Sequence, residues 1–261
     1  MFSHTLNPVI FALGAVEIRW YGLMYVLGFV FAYYFIPKIS GRFGVDLSRD
    51  DVSELLLYLA VGMLVFARLA EVLVYHPSYY FSNPQDIPAV WKGGLSFHGG
   101  LLGFIIGGFI YAKKKKISFL VLADVVVLPA VIGLFLGRIG NFINGELAGR
   151  ITSVPWCVNF RNYEGCRHPS QIYEAFKNLF IFGVLWHFKD KKPAGFLFFL
   201  FLILYSILRA VIEQFFRQPE TYILGITTGQ FLSIFMFLAG VYGMAFIYDK
   251  RSEVKTCGGS A

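Results

Sequence analysis

Charge is scarce in this 261-residue chain: Asp, Glu, Lys and Arg make up 15% of it, against about 25% in a typical soluble domain. So few charges cannot cover a water-exposed surface, and they exclude a disordered or coiled-coil chain as well. Cysteine is rarer still, at three residues, which excludes a disulfide-dense secreted scaffold. No internal repeat is visible, so a transporter built from inverted repeats is not supported. Acidic residues are outnumbered, leaving a net charge of +7. The basic residues sit in short runs between apolar stretches, as expected beside an anionic membrane surface, and do not suggest nucleic acid.

Apolar residues are abundant instead, at 57% of the chain with 29 Phe, and the mean hydropathy is +0.62. A helix needs about 20 mostly apolar residues to cross a bilayer. Seven stretches approach that: 20–37, 55–75, 93–112, 117–142, 171–188, 193–216 and 222–248. The expectation is an all-α, polytopic integral membrane protein, with residues 1–261 forming one membrane-embedded domain. Residues 1–16 have neither a basic n-region nor a small-residue cleavage site, so no cleaved signal peptide is expected. Residues 75–92, rich in Pro and aromatics, read as an outer arm at the interface. Residues 145–170 read as a small outer cap.

Thirteen Lys and Arg fall beside one set of span ends, among them Lys113–Lys116, Lys189, Lys191, Lys192, Lys250, Arg251 and Lys255. Six fall on the other side: Arg19, Lys92, Arg150, Arg161, Arg167 and Arg217. The positive-inside rule places the N-terminus outside and the C-terminus in the cytoplasm, as an odd number of spans requires. Cys157 and Cys166 share the cap. An oxidising exterior allows a disulfide across that loop, two free thiols being the alternative. A metal site from these two and His168 lacks a fourth ligand. Cys257, in the cytoplasmic tail, should stay reduced.

Charges inside spans cost about 2.5–3.5 kcal/mol each and need a reason. Arg68 with Glu71, and Glu174 with Lys177, are three apart and read as structural pairs on one helix face. Arg209 and Glu213 are four apart, with Tyr205 one turn earlier. Arg138 has no acid within a turn, and an unpaired guanidinium in a span wants an external anion such as a lipid phosphate. Arg138, Asn141 and Asn144 recur every three residues and can line one face, with Glu146 just beyond the helix end. His98 sits in KGGLSFHGGLLG at 92–103, where glycines clear space for close approach of backbone or a ligand. Burial would keep its imidazole neutral and able to accept a proton. Ser96 lies on the opposite side of a helix, so a Ser/His pair is not expected. His187, beside a basic link, reads as an interface residue.

SFHGG at 96–100, GRIGNFINGE at 137–146 and HPSQIYE at 168–174 together resemble the phosphatidylglycerol–prolipoprotein diacylglyceryl transferase family. WYGLMY at 20–25, RAVIEQFFRQP at 209–219 and GQFLS at 229–233 agree with it. The resemblance implies a seven-span enzyme of the bacterial inner membrane. Its reaction moves the diacylglyceryl group of phosphatidylglycerol to the thiol of the lipobox cysteine of a preprolipoprotein and releases glycerol 1-phosphate, the first step of lipoprotein maturation. It implies catalytic roles for His98, Arg138 and Arg209. Substrate contacts fall on Arg138, Tyr21, Gly99, Asn141, Asn144, Glu146, Gly149, Tyr205 and Glu213. Its partners are phosphatidylglycerol, lipobox signal peptides and membrane lipids, without a cofactor, metal or nucleic acid. The chain departs from the family's pattern at Arg19, where a His is frequent, and at Arg217, which one extra residue separates from Glu213. On a helix that residue turns Arg217 by about 100°, so no role passes to it.

The alkyl transfer needs a thiolate, by a base or a lowered thiol pKa. His98 is the candidate base; thiolate formation assisted by the arginines is the alternative. Arg138 and Arg209 would stabilise the charge developing on the leaving phosphate. A channel, a Mg²⁺-dependent phosphatidyl-alcohol transferase and a structural scaffold are the rival readings. Transport lacks the repeats, metal-dependent transfer lacks acidic clusters in the spans, and a scaffold leaves Arg138 unexplained. The basic asymmetry predicts that reporter fusions after Lys116 and at the C-terminus report cytoplasm, and fusions within 145–170 report the exterior. Opposite sidedness would overturn the topology.

Overall fold

The computed structural model describes residues 2–13, 16–190, 192–218, 222–223 and 225–257. Lys191 and Pro219, and the side chains of Lys92, Lys250, Arg251, Lys255 and Cys257, lie outside that description. All seven apolar stretches carry helix: α1 Trp20–Ile39, α2 Arg49–Ala70, α4 Phe97–Lys115, α5 Phe119–Asn144, α6 Ser170–His187, α7 Phe196–Phe215 and α8 Thr228–Cys257. A short α3, Pro77–Ser82, lies in the arm. Among the described residues, five helices are long and apolar enough to cross a bilayer, namely α1, α2, α5, α7 and α8, so the chain is a polytopic membrane protein. Large apolar side chains on α8 face outward, including Phe235 at 57% and Leu238 at 56% exposure. Lipid is the medium that covers such a surface.

Some boundaries move. The third stretch begins as helix only at Phe97, because Gly93 and Gly94 take φ of 87° and 73° and break the run. The last begins at Thr228, after a hairpin of β6 Tyr222–Ile223 and β7 Ile226–Thr227. The fold is therefore helical with small β additions. A hairpin of β2 Val9–Leu13 and β3 Val16–Arg19 precedes α1. Strands β1 Phe2–Ser3, β4 Val158–Asn159 and β5 Cys166–Arg167 form a three-stranded sheet in the order β1-β4-β5.

The chain divides into two compact units, Ile36–Ala123 and the remainder, Met1–Phe35 with Asp124–Ala261. In the first, α2 and α4 run antiparallel. Ser48 caps α2 in a reciprocal pair with Asp51. Lys115 pairs with Asp51 at 2.5 Å, and Lys114 pairs with Glu54. A stripe of Gly99, Gly103 and Gly107 lies against Phe66, Gly62 and Tyr58 of α2, where any Cβ would collide with backbone oxygen. Glycines spaced by four let membrane helices approach this closely. Of the two close approaches expected of these glycines, backbone or ligand, Gly99 and Gly103 admit the backbone of α2.

Arg68 and Glu71 do not serve as each other's partner either. Arg68 donates to the carbonyls of Asp86, Ile87, Gly93 and Gly94 at 2.5–2.8 Å and lies over the Tyr80 ring. Glu71 instead contacts His76 Nδ1 at 2.8 Å. The arm's folded backbone offers more acceptors to the buried guanidinium than one carboxylate does.

In the second unit, Asp124 of α5 accepts from the backbone N–H groups of Gly195 and Phe198 at 2.7 and 2.8 Å. A carboxylate on orphan N–H groups at a helix start caps α7 from another helix. Substituting Leu at Gly103 should destabilise the α2–α4 contact by about 1–3 kcal/mol, the usual cost of overpacking. Gly133→Ala, with nothing within 4 Å of the new Cβ, should be tolerated. Equal thermal unfolding of the two variants in detergent would contradict this account of the glycine stripe.

Candidate active site

The buried face of α6 is polar where a soluble protein would be apolar. Gln171, Glu174, Lys177 and Asn178 are each 5% exposed or less, and they recur at the three- and four-residue spacing of one helix face. Glu174 is the centre. Its Oε2 lies 3.1 Å from Arg138 Nη2 and 3.3 Å from Lys177 Nζ. Its Oε1 pairs with Arg209 and lies 3.0 Å from Arg217 Nη1. Glu213 pairs with Arg209 Nη2 at 2.7 Å and with Arg217 Nε at 3.5 Å. Four cations thus share two carboxylates and leave two positive charges in excess. Lys177 also lies over the Tyr205 ring, 3.8 Å from its centroid.

Two expectations change here. Arg138 is not unpaired; its acid comes from α6, far away in sequence. The pair of Glu174 and Lys177 exists, but it is one edge of a larger cluster. Arg217 joins the cluster because α7 ends at Phe215, so helical rotation does not apply to it. The backbone of Gly149 holds this turn: its N–H donates to His168 O at 3.0 Å, and Arg150 N–H donates to Phe216 O at 2.9 Å. Arg150 Nε donates to Arg217 O at 2.8 Å. A Cβ at Gly149 would strike the carbonyls of both Phe216 and His168. At Gly229 it would strike the Glu213 carboxylate. Glycine at these two positions preserves the approach of backbone to the ion pairs.

Past the end of α5, Glu146 Oε1 accepts from Asn141 Nδ2 at 2.7 Å and Asn144 Nδ2 at 3.3 Å. Gln171 Nε2 donates to Glu146 O at 2.6 Å. The expected polar face of Asn141, Asn144 and Glu146 is therefore assembled, one turn beyond Arg138. Tyr21 Oη of α1 lies 3.0 Å from Tyr25 Oη, and its ring packs on Gly140, 3.0 Å from where a Cβ would stand.

His98 and Gly99 belong to the other unit. His98 is exposed, in the first turn of α4, with Nδ1 3.1 Å from Tyr75 Oη. The burial that would keep its imidazole neutral is not found, because the adjacent glycines take the face toward α2. Ser96 is the helix cap, accepting from Gly99 N–H at 3.2 Å.

In the cap, Cys157 and Cys166 form a disulfide, which removes both thiols from any metal site with His168. His168 Nδ1 lies 3.1 Å from Tyr173 Oη, which accepts from Trp156 Nε1 at 2.8 Å. Glu174, Lys177, Gln171 and Arg217 are the residues that sequence reasoning missed as a group. The three- and four-residue spacing on α6 was the available signal.

Burial holds the His168 pKa below its ordinary value near 6.5. The folded chain then binds this proton less readily than the unfolded one. The contribution to stability is full above about pH 6.5 and is lost as pH falls below it. Hydrogen-exchange protection across 149–170, taken relative to the intrinsic rate at each pH, should fall on acidification below that pH, and His168→Gln should flatten the dependence. An unchanged profile in the variant would assign the effect elsewhere.

A family model described as prolipoprotein diacylglyceryl transferase matches residues 8–246. The phosphatidylglycerol–prolipoprotein diacylglyceryl transferase of Geobacter sulfurreducens is 46% identical, over 96% of this chain and 98% of that protein. The protein of the same name from Rickettsia felis is 44% identical, over 91% and 95%.

Proposed function

The chain belongs to the prolipoprotein diacylglyceryl transferase family, and on that premise we propose how its guanidinium cluster serves the family's reaction. The enzyme transfers the diacylglyceryl group of phosphatidylglycerol to a prolipoprotein, the first step of lipoprotein maturation. The acceptor is the lipobox cysteine thiol. Sulfur forms a bond to glycerol C3, the C3–O bond to phosphate breaks, and glycerol 1-phosphate leaves with that electron pair. The thiol proton passes to a base, for which His98 is the candidate.

The observation that carries the roles is the excess of two positive charges on α5, α6, α7 and the turn after α7. A phosphodiester carries one negative charge and a phosphate monoester close to two near neutral pH. The charge that develops on departure is what fixed guanidinium groups stabilise. Arg138 and Arg209 keep 19% and 14% of their side chains exposed, leaving N–H groups for phosphate oxygens. Asn141, Asn144, Glu146, Gly149, Tyr21, Tyr205 and Glu213 shape the same site, and Gly99 carries the backbone beside His98. The chain is one membrane-embedded domain of seven spans in the bacterial inner membrane. Its N-terminus and cap are outside and its C-terminus is cytoplasmic.

With phosphatidylglycerol and a lipobox peptide, Arg138→Ala should lower kcat by about 10²–10³-fold while the chain still inserts. Arg138→Lys should stay poor, since an ammonium lacks the planar fork. His98→Gln should lose about 10²–10⁴-fold and regain rate with a peptide whose thiol is already ionised. Near-normal turnover by Arg138→Lys would overturn bidentate phosphate recognition. Full activity of His98→Gln would transfer the proton step to thiolate formation beside the arginines.

A further inference from the structure

Glu174 has the least exposed side chain in the cluster, at 1%, and its three arginine partners keep 11–19% exposure. The carboxylate therefore lies beneath the guanidinium groups and a ligand would meet their outer edges. Those arginines come from three places in the chain: α5, α7 and the turn after α7. Without an anion between them, like charges at such separations repel strongly in a low-dielectric site. Among the ion pairs of the described residues, Glu213 reaches Arg209 and Arg217, and Glu174 is the carboxylate that joins Arg138 to them.

We propose that Glu174 is a positioning residue that converges the three guanidinium groups and lowers by one the positive charge they present to the departing phosphate monoester. The proposal rests on the phosphate-clamp reading given above. Two consequences follow from one carboxylate. Convergence gives the transition state a preformed set of donors without reorganisation. Charge limitation keeps the product from being held too tightly: removing one negative charge leaves an excess of three against a dianion. Lys177, stacked on Tyr205 and paired with Glu174, separates the two effects. Losing it together with Glu174 restores an excess of two but not the convergence.

The test uses the full chain in phosphatidylglycerol-containing nanodiscs, with sn-glycerol 1-phosphate as inhibitor. Glu174→Gln should be inhibited about tenfold more strongly or more, with an unraised KM for phosphatidylglycerol and a kcat lowered at least about tenfold. Glu174→Gln/Lys177→Met should return to wild-type inhibition while kcat stays low. Glu174→Asp, which keeps the charge, should recover part of kcat with wild-type inhibition. If Glu174→Gln fails to fold, the double variant and the Asp variant still decide: wild-type kcat in the double variant, or an Asp variant without activity although folded, overturns the proposal. So does a folded Glu174→Gln with unchanged inhibition. Failure of the underlying clamp reading is distinct: glycerol 1-phosphate would then inhibit the wild type and Arg138→Ala equally or not at all.

Discussion

A carboxylate that is 1% exposed inside a helical membrane protein cannot stand without compensation, and Glu174 obtains it from Arg138, Lys177, Arg209 and Arg217 at once. Stripping one partner from a buried ion pair commonly costs about 3–5 kcal/mol. The helices that bring those partners are therefore constrained in register. Asp124 caps the start of α7 from α5, and the Gly149–Arg150 backbone seizes the carbonyls after its end. Both ends of the helix that bears Arg209 are thus tied to other parts of the same unit.

Close approach of backbone is the second recurring device. On α4 the glycines let two helices touch. At Gly149 and Gly229 the missing Cβ admits carbonyls and a carboxylate next to the ion pairs. One residue type serves both purposes because each needs the same few ångströms of space, and a lipid-facing exterior leaves the polar groups nowhere else to go.

Features set by local spacing were readable from the residues. The apolar runs marked the helices. Arg209 and Glu213 paired as an i,i+4 spacing predicts, and Asn141 and Asn144 met Glu146 as their three-residue period suggested. Features set by packing between distant segments were not. Arg138 looked unpaired because its acid lies on α6. Arg217 looked misaligned because the end of α7 is fixed by tertiary contacts after Phe215. Around His98 the flanking glycines left backbone and ligand equally open as the close neighbour until α2 was seen against them. The family resemblance supplied the reaction, which no spacing of charges states by itself.

The central claim is that the cluster accepts a phosphate leaving group while carbon is transferred to sulfur. Mass spectrometry of a lipobox peptide after incubation with phosphatidylglycerol and the purified chain addresses it directly. The account predicts a gain of one diacylglyceryl group on the cysteine, with no phosphorus on the peptide and one glycerol 1-phosphate released per peptide modified. A peptide that carries phosphorus, or lipid breakdown with no mass gained on the cysteine, would contradict it.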